Sequence, residues 1–354
     1  LLGKMERPRL FLKPDSYFEQ ACTLKSGVAA YAIDRAARRL TLADGSVLGY
    51  DALLLATGTR ARPLDVPGAD LDGVHLLRSI ADVDALRPQI VAGRKCVIVG
   101  GGYIGLEVAA VAASHGLDVT LIEFQDRVLA RSVSSNVSAC FEAAHRAHGV
   151  KLVCGAAVEA FEGEGRLQAV RAGGVLYPAD FVLVGVGALA NIELAKAAGL
   201  ACENGIVVDE FATTSDPAIW AAGDCTWHQG YDGVWRRLES VQNAIDQAKC
   251  AARAMLGKRQ PYRELPWFWS DQYDLKLQIV GLARDDDQEI LRGDPAGGKF
   301  GWYYLRDGVL VSAVTVNLPA DHLMARKLIA AGARVPSDAL ADPTQPLKAF
   351  LPSV

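Results

Sequence analysis

The sequence predicts an α/β protein with two parallel-sheet domains of one plan, the first incomplete at its N-terminus, followed by an α+β domain with an antiparallel sheet. Three observations predict it. A strand–glycine–helix–strand unit runs to Glu123, one hairpin-then-strand segment occurs twice, and from Pro261 short aromatic and β-branched runs take over. A length of 354 residues suits two or three such cores.

The unit ending at Glu123 is the most regular. Cys96 to Val99 is an apolar run of the kind buried on both faces of a parallel sheet. Gly100, Gly102 and Gly105 follow in G-x-G-x-x-G register, and Tyr103 to Ser114 reads as an alanine-rich helix ending near His115-Gly116. Val119 to Ile122 reads as the second strand. In such a Rossmann-like, dinucleotide-binding unit Gly100 permits the tight turn, Gly102 lets backbone approach a pyrophosphate, and Gly105 lets helix pack on strand. The helix N-terminus offers unpaired N–H groups and the positive end of its dipole. Glu123, 23 residues beyond Gly100, can accept ribose hydroxyls. A carboxylate there repels a 2′-phosphate, which favours NADH over NADPH. Arg127 and Arg131 temper that preference: they suit a phosphate, although solvated loop arginines are commoner.

The repeat comes next. Leu40 to Gly58 reads strand, Asp44-Gly45 turn, strand, then an apolar strand ending in glycine, and Val170 to Gly187 has the same order around Gly173-Gly174. Asp51 and Asp180 stand at matching places. The second copy's Gly185 lies 85 residues after Gly100. By the same spacing the first copy's glycine motif falls about 27 residues ahead of Leu1, so a glycine-rich nucleotide site is expected in a missing N-terminal segment. Leu1-Leu2-Gly3-Lys4 has neither the apolar core nor the cleavage site of a leader.

Totals exclude other classes. A net charge of −4 gives no basic field for nucleic acid or an anionic membrane. No apolar run approaches the roughly 18 residues of a membrane helix. Seven scattered cysteines form no C-x-x-C or C-x4-C pair, which disfavours a dithiol centre or zinc site and fits a reducing cytoplasm. His145 and His148 have helical spacing but no third metal ligand nearby, so they read as solvated.

Further motifs point to a second cofactor. Thr213 to Asp224, TTSDPAIWAAGD, combines turn chemistry with a strand, Ile219 to Ala222, that ends in Gly223-Asp224. This array resembles the second FAD-binding motif of flavoproteins with two dinucleotide-binding domains. Ala56-Thr57-Gly58 resembles the turn that approaches the flavin domain's nucleotide. Glu239 to Gly257 reads as an amphipathic helix whose N-terminus would favour the negative charge of reduced flavin. The segment PWFWSDQY, Pro266 to Tyr273, is either core or cofactor contact. Leu275 to Val280, Gly301 to Leu305 and Val309 to Val316 suggest an antiparallel sheet, with His322 to Ala331 as a covering helix.

GGYIGLE, AAGDC, ESV-x-NA and PWFWSDQ occur here in order. Together they resemble the FAD-dependent NADH–ferredoxin reductases of oxygenase systems, of the putidaredoxin-reductase and biphenyl-dioxygenase-reductase type. The resemblance covers nearly all 354 residues. It implies an FAD domain at 1–62 and 200–258, an NAD domain at 63–199 and a C-terminal interface domain at 259–354. FAD contacts would include Val28, Ala56, Thr57, Gly58, Arg78, Gly223, Asp224, Val241 and Trp269, the last near the isoalloxazine. NAD contacts would include Gly100, Gly102, Tyr103, Ile104, Gly105, Glu123, Arg131 and Gly187. Glu107 would lie beside the nicotinamide and Tyr103 by the flavin, so Glu107, Tyr103 and Trp269 are the catalytic candidates. Glu107 can alternatively be a charge on the helix's first turn. Gln242 and the stretch Gly187 to Asn191 depart mildly from the family pattern.

The activity implied is hydride transfer from NADH to FAD, then single-electron transfer to a small [2Fe-2S] ferredoxin or a rubredoxin-like protein serving a Rieske dioxygenase or a P450. The cofactors carry that chemistry, so a missing catalytic triad counts for nothing. Two alternatives stay open. One is a flavin-deficient NAD-binding or docking fragment; the other is a rubredoxin reductase or NADH oxidase on the same fold.

Overall fold

A computed structural model describes residue 1, residue 3 and residues 5–352. The Leu1–Lys4 start therefore lies partly outside the described residues, at Leu2 and Lys4. Two compact units result: Leu1–Thr59 with Ala190–Glu264, and Arg60–Leu189 with Leu265–Val354.

In the first unit, Ala30–Asp34, Arg39–Leu42 and Val47–Gly49 form an antiparallel sheet. Its turn closes through the Gly45 amide on the Leu42 carbonyl at 3.0 Å, with Gly45 at φ +83°. Leu53–Leu55 then pairs in parallel with Ile219–Ala221. Both faces of this pair are covered, as parallel strands require. Leu55, Ile219 and Ala221 meet Leu200, Ile206 and Val208, while Leu54, Trp220 and Ala222 meet Ala248 and Ala251 of the helix Val241–Met255. That helix starts where Ser240 accepts a hydrogen bond from the Asn243 amide.

In the second unit a five-stranded parallel sheet runs in the order Val74–His75, Phe181–Val184, Lys95–Val99, Asp118–Glu123, Lys151–Cys154. Helix Tyr103–Ser114 packs on the third and fourth of these strands, and helix Ser135–Ala147 packs on the fifth. The sheet that holds the start of the second copy of the repeat, Val158–Glu164, Arg166–Ala172 and Val175–Pro178, is antiparallel like the first. Its Phe161, Leu167 and Val170 share one core with Val97, Val99, Val182 and Val184.

The expected antiparallel sheet is also present, in the order Trp267–Gln272, Leu275–Gly281, Val309–Val316, Lys299–Arg306, Gln288–Asp294. Ala325, Leu328 and Ile329 of a covering helix pack against Val280, Tyr303 and Ala313. This helix begins at Pro319 rather than His322, because proline is pre-shaped for a first helical position. No helix among the described residues is long and apolar enough to cross a membrane.

Arg292 ties this sheet to the C-terminal segment. Only 5% exposed, it donates to Asp321 at 3.0 Å and to the carbonyls of Leu340 and Gln345 at 3.2 and 2.8 Å. Arg292→Ala leaves these acceptors without their donor and is expected to cost about 3–5 kcal/mol. Urea unfolding checks this; a loss below about 1 kcal/mol would mean that water replaces the guanidinium.

Candidate functional site

In the second unit the predicted nucleotide residues collect at the C-terminal edge of the parallel sheet, where ligands of such sheets bind. Gly100 ends the strand Lys95–Val99 at φ +109°, and a β-carbon there would stand 2.3 Å from the Gly185 carbonyl oxygen. At Gly105 a β-carbon would stand 2.0 Å from the Gly100 carbonyl oxygen. Gly102 differs: a β-carbon there would meet nothing within 4 Å. It is the N-cap of helix Tyr103–Ser114, with no side-chain cap and no acid in the first turn. A helix start with open space ahead and unpaired amides suits an anion such as pyrophosphate.

Glu123 closes one side of this edge. Its carboxylate accepts from the Gly101 amide and, at 2.7 Å, from the Gln125 amide. The loop carrying Arg131 is held there by the Leu129 amide, which donates to the Gly101 carbonyl at 2.9 Å. Gly187, at φ +100°, lies beyond the neighbouring strand Phe181–Val184, and its carbonyl accepts from Arg62. Arg127 is neither a phosphate ligand in waiting nor solvated. Its guanidinium donates to the Val133 and Ala130 carbonyls and to Ser138 Oγ, so it ties its loop to the helix Ser135–Ala147.

On the face of helix Tyr103–Ser114 toward the strand Trp267–Gln272, the Tyr103 ring lies 4.4 Å from that of Phe268, centroid to centroid. Burial pushes the Tyr103 phenol up to about 12. One turn on, Glu107 Oε1 accepts from Ser270 Oγ at 2.6 Å. Glu107 therefore does not stand on the first turn, which contains no acid. Burial raises its carboxyl above the usual range, and the Ser270 bond opposes that rise. Trp269 on the same strand is 40% exposed, its ring 5.5 Å from that of Trp267. Ile104 is exposed on the helix's first turn. Arg78 is exposed just ahead of Ser79, the cap of a short helix at Ile80–Leu86.

The first unit builds a similar edge. Ala56-Thr57-Gly58 and Gly223-Asp224 follow the paired parallel strands Leu53–Leu55 and Ile219–Ala221, and the Ala222 amide donates to the Leu55 carbonyl at 3.0 Å. Gly223, at φ +84°, donates its amide to Gln247 Oε1 at 2.8 Å, which sets it beside the helix that starts at Val241. Val241 itself is exposed, Asp224 half-buried, and Val28 half-buried just before the strand Ala30–Asp34.

Some residues at these edges were not singled out from sequence. Asn191 clamps the Ala-Thr-Gly turn: Thr57 Oγ1 donates to its carbonyl at 2.7 Å, its Nδ2 donates to the Thr57 carbonyl at 2.8 Å, and its amide reaches the Gly58 carbonyl. Ser270 and Gln272 are buried, and their period-two spacing was the available signal. His145 is a correction. It is fully buried, not solvated, with Nε2 2.9 Å from Gln272 Oε1 and Nδ1 3.1 Å from the Tyr273 hydroxyl. Only His148 is exposed, stacked on Tyr273.

Comparison with known proteins shows the family. The family model described as pyridine nucleotide-disulphide oxidoreductase matches residues 2–248, and one described as reductase C-terminal matches residues 267–351. The chain belongs to the pyridine nucleotide-disulphide oxidoreductase family. Within it, the chain is 44% identical to rhodocoxin reductase of Rhodococcus erythropolis over 92% of its own length and 77% of the relative's. It is 43% identical to the ferredoxin–NAD(+) reductase component of the anthranilate 1,2-dioxygenase system of Burkholderia cepacia, over 99% and 87%. A solved covalent putidaredoxin reductase–putidaredoxin complex matches with a TM-score of 0.95 and 39% identity, over 99% of this chain and 86% of that one.

The two glycines of this family member's helix start should separate binding from folding. Gly102→Ala is expected to keep the melting temperature while weakening NAD+ at least about tenfold, because its methyl enters the ligand's space. Gly105→Ala should instead lower the melting temperature, since its methyl meets backbone. Calorimetric NAD+ titration and thermal melts check both; undiminished NAD+ affinity in Gly102→Ala would place the pyrophosphate elsewhere.

Proposed function

We propose that this chain is an NADH-dependent flavoprotein reductase that passes electrons through FAD to a small [2Fe-2S] ferredoxin serving an oxygenase, a Rieske dioxygenase or a cytochrome P450. One observation carries the reading. The chain has two glycine-lined parallel-strand edges and a reductase C-terminal domain, and it is 43% identical, over 99% of its length, to a reductase named for ferredoxin and NAD(+). In the proposed division residues 1–62 and 200–258 serve FAD, 63–199 serve NAD, and 259–354 form the interface domain. All seven cysteines are unpaired, which supports a reducing cytoplasm as the setting.

The residues fit both cofactors. Gly102 leaves open space before an uncapped helix, and Gly58 and Gly223 turn at positive φ beyond two parallel strands. Val28, Ala56, Thr57, Gly58, Arg78, Gly223, Asp224, Val241 and Trp269 would hold FAD. Gly100, Gly102, Tyr103, Ile104, Gly105, Glu123, Arg131 and Gly187 would hold NAD. Bound FAD supplies the chemistry of taking up two electrons together and releasing them singly. The chain's part is to bind, align and exclude water. Glu107 would orient the nicotinamide carboxamide, and Tyr103 and Trp269 would shield the reacting rings. Glu123 would accept the ribose hydroxyls, and the donors of Arg127 are engaged by Val133, Ala130 and Ser138.

Visible absorbance of the protein mixed with FAD, before and after NADH, tests the reading. A bound-flavin spectrum that bleaches with NADH and recovers with an oxidised [2Fe-2S] ferredoxin is expected. Absence of flavin uptake would favour the flavin-deficient NAD-binding or docking role. Glu123→Gln is expected to reduce the preference for NADH over NADPH at least about tenfold in kcat/KM, a difference of about 1.4 kcal/mol. An unchanged ratio would remove Glu123 from ribose recognition.

A further inference from the structure

The strand Trp267–Gln272 buries the wrong residues for an apolar core. Ser270 and Gln272 are 1% and 0% exposed, while Trp269 beside Ser270 is 40% exposed. A buried polar side chain is the informative kind, because each must find partners or destabilise the fold.

Their partners form one line. Ser270 Oγ lies 2.6 Å from Glu107 Oε1, Gln272 Nε2 lies 3.2 Å from Ser270 Oγ, His145 Nε2 lies 2.9 Å from Gln272 Oε1, and the Tyr273 hydroxyl lies 3.1 Å from His145 Nδ1. The donors are fixed by chemistry. An ionised Glu107 only accepts, so the Ser270 hydroxyl donates to it, and Ser270's lone pair is left for the Gln272 amide. The Gln272 oxygen then needs a proton on His145 Nε2, which leaves Nδ1 bare to accept from Tyr273. All four donors point toward the carboxylate. Tyr273 holds φ +57° in the two-residue turn between the strands Trp267–Gln272 and Leu275–Gly281, with its hydroxyl in reach of His145.

We infer that Ser270, Gln272, His145 and Tyr273 are positioning residues for Glu107, a one-way hydrogen-bond chain that fixes the carboxylate's orientation and leaves Oε2 to meet the nicotinamide carboxamide. The inference rests on the placement of Glu107 beside the nicotinamide under the proposed function. Gln272's amide makes the chain a brace and not a proton wire. The charges facing its two ends are Asp271 at Glu107 and His148 at His145. Burial holds His145 below its usual range, the Gln272 bond opposes this and His148 adds to the lowering, so it stays neutral at neutral pH. Burial raises Glu107 and the Ser270 hydroxyl opposes this, so losing the hydroxyl moves the carboxyl further up.

Two readouts test the brace. Long-range proton–nitrogen spectra of histidine-labelled, FAD-loaded protein should show His145 neutral with its proton on Nε2, and Tyr273→Phe should mix the tautomers without moving the melting temperature. In rapid-mixing kinetics Ser270→Ala should lower the rate of flavin reduction by NADH about ten- to a hundredfold. It should also shift the acid limb of the pH profile upward, with NADH affinity little changed, and Ser270→Thr should restore both. If His145 carries its proton on Nδ1, or if Ser270→Ala leaves rate and pH profile unmoved while Glu107→Gln slows reduction, the brace is overturned. If Glu107→Gln itself leaves flavin reduction unchanged, it is the placement of Glu107 at the nicotinamide that fails, whatever the tautomer.

Discussion

A β-carbon at position 105 would stand 2.0 Å from the Gly100 carbonyl oxygen, and the second unit depends on that space staying empty. Without a side chain there, helix Tyr103–Ser114 lies close on the strand Lys95–Val99 and starts at the sheet's C-terminal edge. Its start then points open amides past Gly102. Its flank carries Tyr103 and Glu107 toward the strand Trp267–Gln272. Four helical residues rise about 6 Å, and two strand residues advance about 6.6 Å. The near match lets Tyr103 meet Phe268 while Glu107 meets Ser270. One backbone contact thus sets both the nucleotide edge and the register of the residues beside it.

The repeated segment solves a second problem in both units. A parallel strand buried on both faces must leave the sheet abruptly, and a positive-φ glycine does this without a steric penalty. Gly58 at +61° follows Leu53–Leu55, and Gly187 at +100° follows Phe181–Val184. Each turn is then held by another segment of its own unit, the first by Asn191 and the second through Arg62. Holding the turn matters for a binding edge, because exposed backbone that must meet a ligand cannot also be left to wander.

What the sequence made legible is local and periodic. The strand Val309–Val316 and the helix Tyr103–Ser114 are found at their expected limits, since β-branched alternation and an alanine run between glycines leave few choices. The three glycines with Glu123 were legible because their spacing is itself the geometry. Contacts between distant segments were not legible. His145 and His148 have the same spacing as any exposed helical pair, yet one is buried against Gln272 and the other stacks on Tyr273. Which face of that helix meets the strand is decided 127 residues away. Arg127 was misjudged because its acceptors, two loop carbonyls and Ser138 of the following helix, are brought to it by the fold of that segment.

The strand Trp267–Gln272 shows why local pattern and function part company here. Hydrophobicity alone would turn Trp269 inward and Ser270 and Gln272 outward, and a one-residue slip exchanges the two faces. The observed register instead exposes a large aromatic surface and buries two polar side chains. Each choice by itself destabilises, the first by lost apolar burial and the second by desolvation. The hydrogen bonds to Glu107 and His145 offset the second cost, because both buried side chains find partners. The first is offset only in part, by the Trp267 ring 5.5 Å away. The same reasoning explains why Phe268, on the buried face with Ser270, stays packed against Tyr103 while Trp269 does not.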